Sequence, residues 1–258
     1  MKLNKLMFRE YDIRGIWNED ITEEISYYIG RAYATKLLSL KKNKMIVGYD
    51  NRLSSPIIEK NLVKGLTDGG VDVVRLGLVT TPMYYYAWDK LNIHCGIMIT
   101  ASHNPKEYNG FKMSYNGIHN CFGNEVAELY YIILNGIYSK GNGSITDANI
   151  KEDYIKMINS HINMGSNKLK VIYDCGNGTT SIVAKDIFVS NDNIEYIPLF
   201  AESDGTFPNH HPDPAVESNL TILKEKVKEL NADCGIAFDG DGDRVGVVNE
   251  KGEFVSID

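Results

Sequence analysis

The sequence predicts an α/β fold built from two consecutive three-layer domains with mixed, mostly parallel sheets. Short β-branched runs alternate with helical stretches, a polar segment interrupts this alternation near the middle, and the alternation then restarts. The length of 258 residues is enough for one large domain or two small ones. Apolar residues make up 43% and charged residues 24%, which excludes disordered and fibrous classes.

The first elements predict a βαβ unit. Segments 45–50 and 71–77 are apolar and β-branched, which indicates buried strands. Between them Ser55 is predicted to cap a helix with Pro56 at its first position. Such a unit implies parallel strands. The chain then predicts a helix over 82–91, a strand over 95–100, a hairpin over 108–117 and a helix over 124–138.

The polar segment 139–149 predicts a linker, because it contains glycine and has few apolar residues. We therefore expect domains at 1–149 and 150–258. The second domain is predicted to contain a helix over 150–163, a strand over 169–174, a helix over 179–190, a strand over 195–200, a helix capped by Ser218, and strands over 234–238 and 244–249.

The most informative motif is a group of three carboxylates, Asp239, Asp241 and Asp243, directly after a predicted strand. Carboxylates this close repel one another unless a cation or solvent neutralises them. The glycines between them let the chain curl and turn the side chains inward. Oxygen ligands favour Mg²⁺ or Ca²⁺. A solvated acidic turn is the alternative that the motif alone leaves open.

Ser102 lies in segment 100–105, at the end of a predicted strand, where α/β sheets place ligands. Its hydroxyl could accept a phosphoryl group beside a divalent ion. An ordinary strand-to-loop turn would use the same residue types, so this alternative stays open. A hydrolase triad with His103 is disfavoured, since neighbours in sequence rarely have that geometry.

Arginines cluster near these motifs. The chain has six arginines against 21 lysines, and two of the six lie in segment 8–15 while Arg244 closes the acidic motif. The planar guanidinium group binds phosphate in a way that lysine cannot.

Three weaker interpretations are set aside. Segment 176–178 has only part of a dinucleotide-binding pattern. His210, His211 and Asp213 lack a further cysteine or histidine nearby, so a proline-shaped loop is preferred to a zinc site. The acidic motif is not an EF-hand, because its sixth position is arginine and both flanks predict strands.

Charge and composition limit the partners that we expect. A net charge of −7 argues against a general nucleic-acid or anionic-membrane binder. No apolar run approaches the roughly 20 residues that span a bilayer, and the start lacks a signal-peptide core. The four cysteines form no C-x-x-C pair. A cytoplasmic protein with no membrane or nucleic-acid partner is therefore expected.

Five motifs in this order resemble the α-D-phosphohexomutase family, and most closely its phosphomannomutase/phosphoglucomutase branch. They are FREYDIRG (8–15), TASHNP (100–105), NGFK (109–112), GTFPNHHPDP (205–214) and DGDGDR (239–244). The phosphoglucosamine mutase branch usually begins with a different pattern, so segment 10–12 argues against it.

The resemblance implies an Mg²⁺-dependent interconversion of hexose 6-phosphate and hexose 1-phosphate. A phosphoserine at Ser102 would donate to the sugar, with hexose 1,6-bisphosphate as intermediate and activator. The implied catalytic residues are Ser102, His103, Lys112 and Arg14. The implied phosphate-binding residues are Tyr11, Arg14 and Arg244. The implied ligands of one Mg²⁺ are Ser102, Asp239, Asp241 and Asp243.

Typical members of this family have four domains, and no sugar-selecting or C-terminal phosphate-binding loop is found here. The expectation is an N-terminal half that needs the other domains for activity, with a phosphorylated hexose and a separate C-terminal half as partners. A non-catalytic metal-binding or assembly module is the alternative. A metal-dependent phosphatase using Ser102 is a third hypothesis, and the preference for mannose or glucose is left open.

Overall fold

The computed structural model describes residues 3–163 and 165–255. These residues form two compact units. The second unit consists of Thr80–Pro82, Ser102–Pro105 and the chain from Lys151 onward, and the first unit contains the remainder up to Ile150. The sequence-based division at 149/150 assigns both short loops to the first domain, whereas the structure groups them with the second unit.

The first unit is built on a six-stranded sheet. Its strands are β1 (Ile13–Ile16), β2 (Lys44–Tyr49), β3 (Asp72–Leu78), β4 (Gly96–Ile99), β5 (Tyr108–Ser114) and β6 (Ile145–Asp147). Its helices are α1 (Glu23–Ser39), α2 (Ser55–Asp68), α3 (Thr81–Lys90) and α4 (Asn124–Asn135). The strand order is β1-β5-β4-β2-β3-β6. Strands β6, β3, β2 and β4 are parallel, and β5 is antiparallel to both of its neighbours.

Alternate residues of the central strands face different helices, as the pleat of a strand requires. Met45 and Val47 belong to the large core formed with α1, α2 and α4. The side chain of Ile46 lies on the opposite face, towards α3. A Cβ on Gly96 would lie 2.8 Å from both Cγ1 of Ile46 and the hydroxyl oxygen of Tyr84 of α3. The sheet is thus covered on both faces, which makes three layers.

The second unit is built on a five-stranded sheet. Its strands are β7 (Leu169–Asp174), β8 (Ile194–Leu199), β9 (Cys234–Phe238), β10 (Val245–Asn249) and β11 (Phe254–Val255). Its helices are α5 (Lys151–His161), α6 (Ala184–Val189) and α7 (Thr221–Glu229). The order is β11-β10-β9-β7-β8, with β7 parallel to both of its neighbours and β10 antiparallel to both of its neighbours.

Adjacent residues of β7 separate the two cores of this unit. Ile172 packs with Leu223 and Val227 of α7, and Tyr173 stacks on Phe188 of α6 with ring centroids 4.6 Å apart. The second sheet is therefore also a middle layer between helices. The predicted fold class is confirmed for both units.

Several element predictions need correction. Segment 108–117 is not a hairpin by itself, because its strand β5 pairs antiparallel with β4 across the intervening loop. The predicted linker 139–149 contains β6, which extends the sheet by pairing with β3. Helix α1 is an element that the sequence reading did not predict.

Two predicted helix caps are also wrong. Ser55 is the first residue of α2, and its hydroxyl donates to Asp50 at 2.6 Å instead of capping the helix. Ser218 lies in a short 3₁₀ turn, so α7 begins only at Thr221. No helix in the described part of the chain is both long and apolar enough to cross a membrane.

Candidate functional site

The acidic loop, residues 239–243, connects β9 to β10. Asp239 and Asp241 are fully buried, whereas Asp243 is exposed. One carboxylate oxygen of each lies within 4.8 Å of the others, and within residues 3–163 and 165–255 this is the one such group that could hold a metal. Both flanks are strands, so the loop is not an EF-hand.

Close backbone packing explains the glycines of this loop. A Cβ on Gly240 would lie 2.6 Å from the carbonyl oxygen of Ser102, and one on Gly242 would lie 2.5 Å from Oγ1 of Thr180. Gly242 also has a φ of +76°, which side-chain-bearing residues rarely adopt. Because the residues between the aspartates are glycines, the acidic loop can pack directly against Ser102 and Thr180.

The serine loop, residues 102–105, follows β4 and belongs to the same compact unit as the acidic loop. Ser102 is buried, and its hydroxyl donates a hydrogen bond of 2.9 Å to Oδ2 of Asp239. The same hydroxyl oxygen lies 3.2 Å from Nδ1 of His103. Ser102 has a φ of +52°, a conformation that costs a non-glycine residue about 1–3 kcal/mol and is concentrated at functional sites.

Asp239 is held from both sides. Its Oδ1 accepts hydrogen bonds from the amides of Asp243 at 3.0 Å and Arg244 at 3.1 Å. Burial, together with the negative charges of Asp241 and Asp243, raises the pKa of Asp239 to about 8. A bound cation would lower the pKa of Asp239 again, because its positive charge favours the ionised carboxylate. Three carboxylates and a hydroxyl are oxygen donors that suit Mg²⁺, so the residues present fit that ion.

Thr81 is a site residue that the sequence reading missed. Its hydroxyl donates to Oδ2 of Asp241 at 2.7 Å, and its amide donates to the carbonyl oxygen of Asp241 at 2.9 Å. The sequence predicts only that a helix begins directly after this threonine, at position 82. A polar residue between a strand and a helix is a weak signal by itself, and its partner lies 160 residues away.

The glycine-containing turn 176–178 supports the acidic loop. The amide of Thr179 donates to the carbonyl oxygen of Gly240 at 2.9 Å. A Cβ on Gly178 would lie 3.1 Å from that same oxygen, so a small residue is needed here. Backbone packing therefore accounts for this glycine without a nucleotide.

His210 forms an ion pair with the buried Asp174 at the end of β7. Its Nε2 lies 3.0 Å from Asp174 Oδ2, and its Nδ1 lies 2.9 Å from the carbonyl oxygen of His211. A protonated imidazole donates from both ring nitrogens and would satisfy both of these acceptors. Burial lowers the pKa of His210, but Asp174 outweighs this effect and raises it above its ordinary value. Pro212 of the same segment lies beside the acidic loop, since a Cβ on Gly240 would be 3.6 Å from its Cγ.

The remaining predicted residues fall in different places. Arg244 is exposed at the end of the acidic loop. Arg14, Tyr11 and Lys112 belong to the first unit. Arg14 lies on β1 and donates to Asp12 at 2.5 Å, Lys112 lies on β5 opposite Met98 of β4, and Tyr11 is 67% exposed. The structure therefore brings together Ser102, His103 and the three aspartates.

A buried polar network in the first unit was also missed. Asp50 and Arg52 are both about 1% exposed, and Arg52 Nε donates to Asp50 Oδ2 at 3.1 Å. Nη1 of Arg52 donates to the carbonyl oxygen of Tyr108 at 3.1 Å. Burial raises the pKa of Asp50 despite the charge of Arg52. The network joins the end of β2 to the start of β5, the strand that follows the serine loop.

Comparison with known proteins gives two family matches. Residues 5–135 match "Phosphoglucomutase/phosphomannomutase, alpha/beta/alpha domain I", and residues 152–252 match domain II of the same description.

Individual relatives are similar over almost the whole chain. A phosphomannomutase/phosphoglucomutase of Pseudomonas syringae pv. tomato is 46% identical over 98% of this chain and 54% of that protein. A phosphoglucomutase of Neisseria meningitidis serogroup B is 40% identical over 98% of this chain and 55% of that protein. The crystal structure of a family protein from Burkholderia thailandensis has a TM-score of 0.93 and 35% identity, covering 98% of this chain and 57% of that one. The chain spans about half the length of the curated relatives that it matches.

Proposed function

Because this chain belongs to the phosphoglucomutase/phosphomannomutase family, we propose that it supplies the phosphoserine and the metal-binding loop of a phosphohexomutase. The reaction is the Mg²⁺-dependent interconversion of hexose 6-phosphate and hexose 1-phosphate. The buried hydrogen bond of 2.9 Å between Ser102 Oγ and Asp239 Oδ2 carries this proposal, because it joins the predicted phosphate carrier to the acidic loop.

In the proposed reaction, phosphoserine at Ser102 donates its phosphoryl group to a free hydroxyl of the hexose phosphate. The bond between phosphorus and Ser102 Oγ breaks, and a bond between phosphorus and the sugar oxygen forms. Lys112, with His103 assisting, is proposed to take the hydroxyl proton, and the same proton is delivered to Ser102 Oγ as its bond to phosphorus breaks. The hexose 1,6-bisphosphate then reorients and returns its other phosphate to Ser102, which restores the phosphoserine.

Asp239, Asp241, Asp243 and Ser102 would hold the Mg²⁺ ion, which when bound neutralises charge on the phosphate oxygens. Loose phosphoryl-transfer transition states spread charge over three equatorial oxygens, so charge stabilisation and positioning supply most of the rate. Arg14, Arg244 and Tyr11 are proposed to bind phosphate, the two arginines through their planar guanidinium groups.

Complete turnover is proposed to need the part of the relatives that this chain does not match. The curated relatives are almost twice as long as the matched region. Positioning of the distal phosphate and the sugar ring contributes much of the rate in such reactions. The chain is therefore expected to accept a phosphoryl group readily and to isomerise hexose phosphates poorly when alone.

The phosphoserine role is tested by incubating the chain with glucose 1,6-bisphosphate and Mg²⁺, followed by intact-mass measurement. The expected result is one added phosphoryl group, mapped to Ser102 by peptide fragmentation. Ser102→Ala should remove the modification, whereas Ser160→Ala, on an exposed serine of α5, should keep it. A chain that is never modified, or is modified equally in both variants, contradicts the proposal.

The mutase activity is tested by mixing this chain with a separately expressed C-terminal half of the Pseudomonas syringae relative. Turnover that appears on mixing and depends on Ser102 supports the enzyme. Continued inactivity with intact metal binding would instead support a non-catalytic metal-binding module. Release of inorganic phosphate without isomerised sugar would identify a phosphatase.

A further inference from the structure

Thr81 is the first residue of α3 and belongs to the same compact unit as the acidic loop. It makes two hydrogen bonds to Asp241. Its amide donates to the carbonyl oxygen of Asp241 at 2.9 Å, and its hydroxyl donates to Oδ2 at 2.7 Å. The first bond fixes the backbone of Asp241, and the second fixes the direction in which its carboxylate turns. One residue therefore sets both the position and the orientation of a proposed metal ligand.

The surroundings of Thr81 limit how far its hydroxyl can move. Thr81 and Asp241 are both fully buried, and the low dielectric inside a protein strengthens a hydrogen bond between buried groups. Threonine is β-branched, which restricts rotation about χ1. The preceding Thr80 packs beside the same loop, since a Cβ on Gly242 would lie 3.4 Å from its Cγ2. The hydroxyl is thus a rigid donor to the Asp241 carboxylate.

The carboxylate of Asp239 is held in a different way. It accepts hydrogen bonds from the amides of Asp243 and Arg244 and from the hydroxyl of Ser102, which is itself a proposed ligand. Thr81 is not a proposed ligand. It can therefore be replaced without removing an oxygen donor from the proposed metal site, and its effect on a bound ion must pass through Asp241.

We propose that Thr81 is a positioning residue that makes the acidic loop selective for Mg²⁺ over Ca²⁺. Mg²⁺ demands near-ideal octahedral geometry with oxygens at about 2.0–2.1 Å, whereas Ca²⁺ accepts roughly six to eight oxygens at about 2.3–2.6 Å in flexible arrangements. A carboxylate held in one orientation can meet the stricter demand. A carboxylate that rotates suits Ca²⁺ better, because Mg²⁺ gives up its water reluctantly. This inference rests on the proposed function, since it concerns the same metal site.

The selectivity is tested by isothermal titration calorimetry of the 258-residue chain with Mg²⁺ and, separately, with Ca²⁺. Thr81→Val removes the hydroxyl at nearly constant shape. Loss of a hydrogen-bond partner of a metal ligand typically weakens metal binding about 10–100-fold, and Mg²⁺ affinity should fall within this range. Ca²⁺ affinity should fall by no more than about threefold, because Ca²⁺ tolerates a displaced carboxylate. Thr81→Ser keeps the hydroxyl and should retain the wild-type ratio of the two affinities.

Thr206→Val is the matched control. The hydroxyl of Thr206 donates to Oδ1 of Asp204, also at 2.7 Å, within the second unit. This variant loses a hydrogen bond of the same kind and length on a carboxylate outside the acidic loop. It should therefore leave the affinities for both ions unchanged, even if it lowers the stability of the unit.

Equal losses of Mg²⁺ and Ca²⁺ affinity in Thr81→Val overturn the proposal, because a merely structural role would weaken both ions alike. Unchanged affinities overturn it as well, and so does a loss of selectivity in Thr81→Ser as large as that in Thr81→Val. If Thr81→Val does not fold, the wild type provides the test: tighter binding of Ca²⁺ than of Mg²⁺ overturns the selectivity, and the reverse order supports it. Absence of any Mg²⁺ binding by the wild type instead contradicts the proposed function itself, so the two failures are distinguishable.

Discussion

Replacing Asp239 with asparagine removes one ionisable carboxyl group from the acidic loop while keeping the shape of the side chain. The asparagine oxygen can accept the amide hydrogen bonds of Asp243 and Arg244 that Oδ1 of Asp239 now accepts. Its NH₂ group can donate to the hydroxyl oxygen of Ser102. The substitution therefore tests the crowding of carboxylates separately from the hydrogen bonds.

The expected magnitude follows from the pKa of Asp239, which burial and two neighbouring carboxylates raise from 3.8 to about 8. Between those values the folded chain holds a proton that the unfolded chain has released. Without divalent cations, the free energy of unfolding of the wild type then falls by about 1.36 kcal/mol per pH unit. From about pH 5.5 to about pH 7.5 the loss is about 2.7 kcal/mol, and Asp239→Asn should not show it.

Native-state hydrogen exchange of peptides from β9 and β10, read by mass spectrometry in EDTA, measures the opening free energy next to the acidic loop. The opening free energy of Asp239→Asn should rise by about 2.7 kcal/mol relative to that of the wild type across this pH range. Above the raised pKa the difference should stay constant. Asp192→Asn, on an exposed aspartate of the second unit, is the matched control for the loss of one carboxyl group. Saturating Mg²⁺ should reverse the order, because only the wild type retains all three carboxylates.

A difference between Asp239→Asn and wild type that stays constant between the two pH values would refute the reasoning. Lower stability of the variant at the higher pH in EDTA would refute it as well. Either result would mean that repulsion among the three carboxylates does not destabilise the metal-free acidic loop. The electrostatic argument for a metal site would then fail.

Three further substitutions test the supporting structure. His210→Gln should remove a pH dependence from the free energy of unfolding of the second unit. Because Asp174 raises the pKa of His210, the ion pair stabilises the wild type fully below about pH 6.5, and this stabilisation is lost as the pH rises through the raised pKa. Urea titrations that show the same loss in both proteins would contradict this. Arg52→Met should cost about 3–5 kcal/mol in urea unfolding because it leaves Asp50 buried without its cation, and a loss below about 1 kcal/mol would argue against the pair. Gly240→Ala puts a Cβ 2.6 Å from a serine-loop carbonyl oxygen, so a loss of about 1–3 kcal/mol is expected, and an unchanged unfolding midpoint would speak against this close approach.

Much of the fold is predictable because buried parallel strands have nearly continuous apolar sequences. The predicted strands at 45–50 and 169–174 agree within one residue with β2 and β7. Helix α1 is harder to predict, because its buried face includes small residues such as Ser26 and Gly30 beside apolar ones. The residue types of segment 108–117 indicate a hairpin but do not show that its strand pairs with β4.

The sequence predicts the separate motifs of the site but not the contacts between them. The acidic loop and Ser102 each stand out by residue type, but the hydrogen bond between Ser102 and Asp239 joins positions 137 residues apart. Thr81 and His210 carry no local signal of their roles, because each role depends on a distant carboxylate. Spacing along the chain cannot report such contacts, so they need the folded structure.

The same separation has a consequence for biosynthesis. Ribosomes add roughly 5–20 residues per second, so Asp239 emerges on the order of ten seconds after Ser102. During that interval a nascent chain can form most of the first sheet while the serine loop still lacks the residues that will enclose it. The serine loop therefore reaches its final environment late in translation, and events that delay elongation prolong the time during which this loop is accessible to chaperones and proteases.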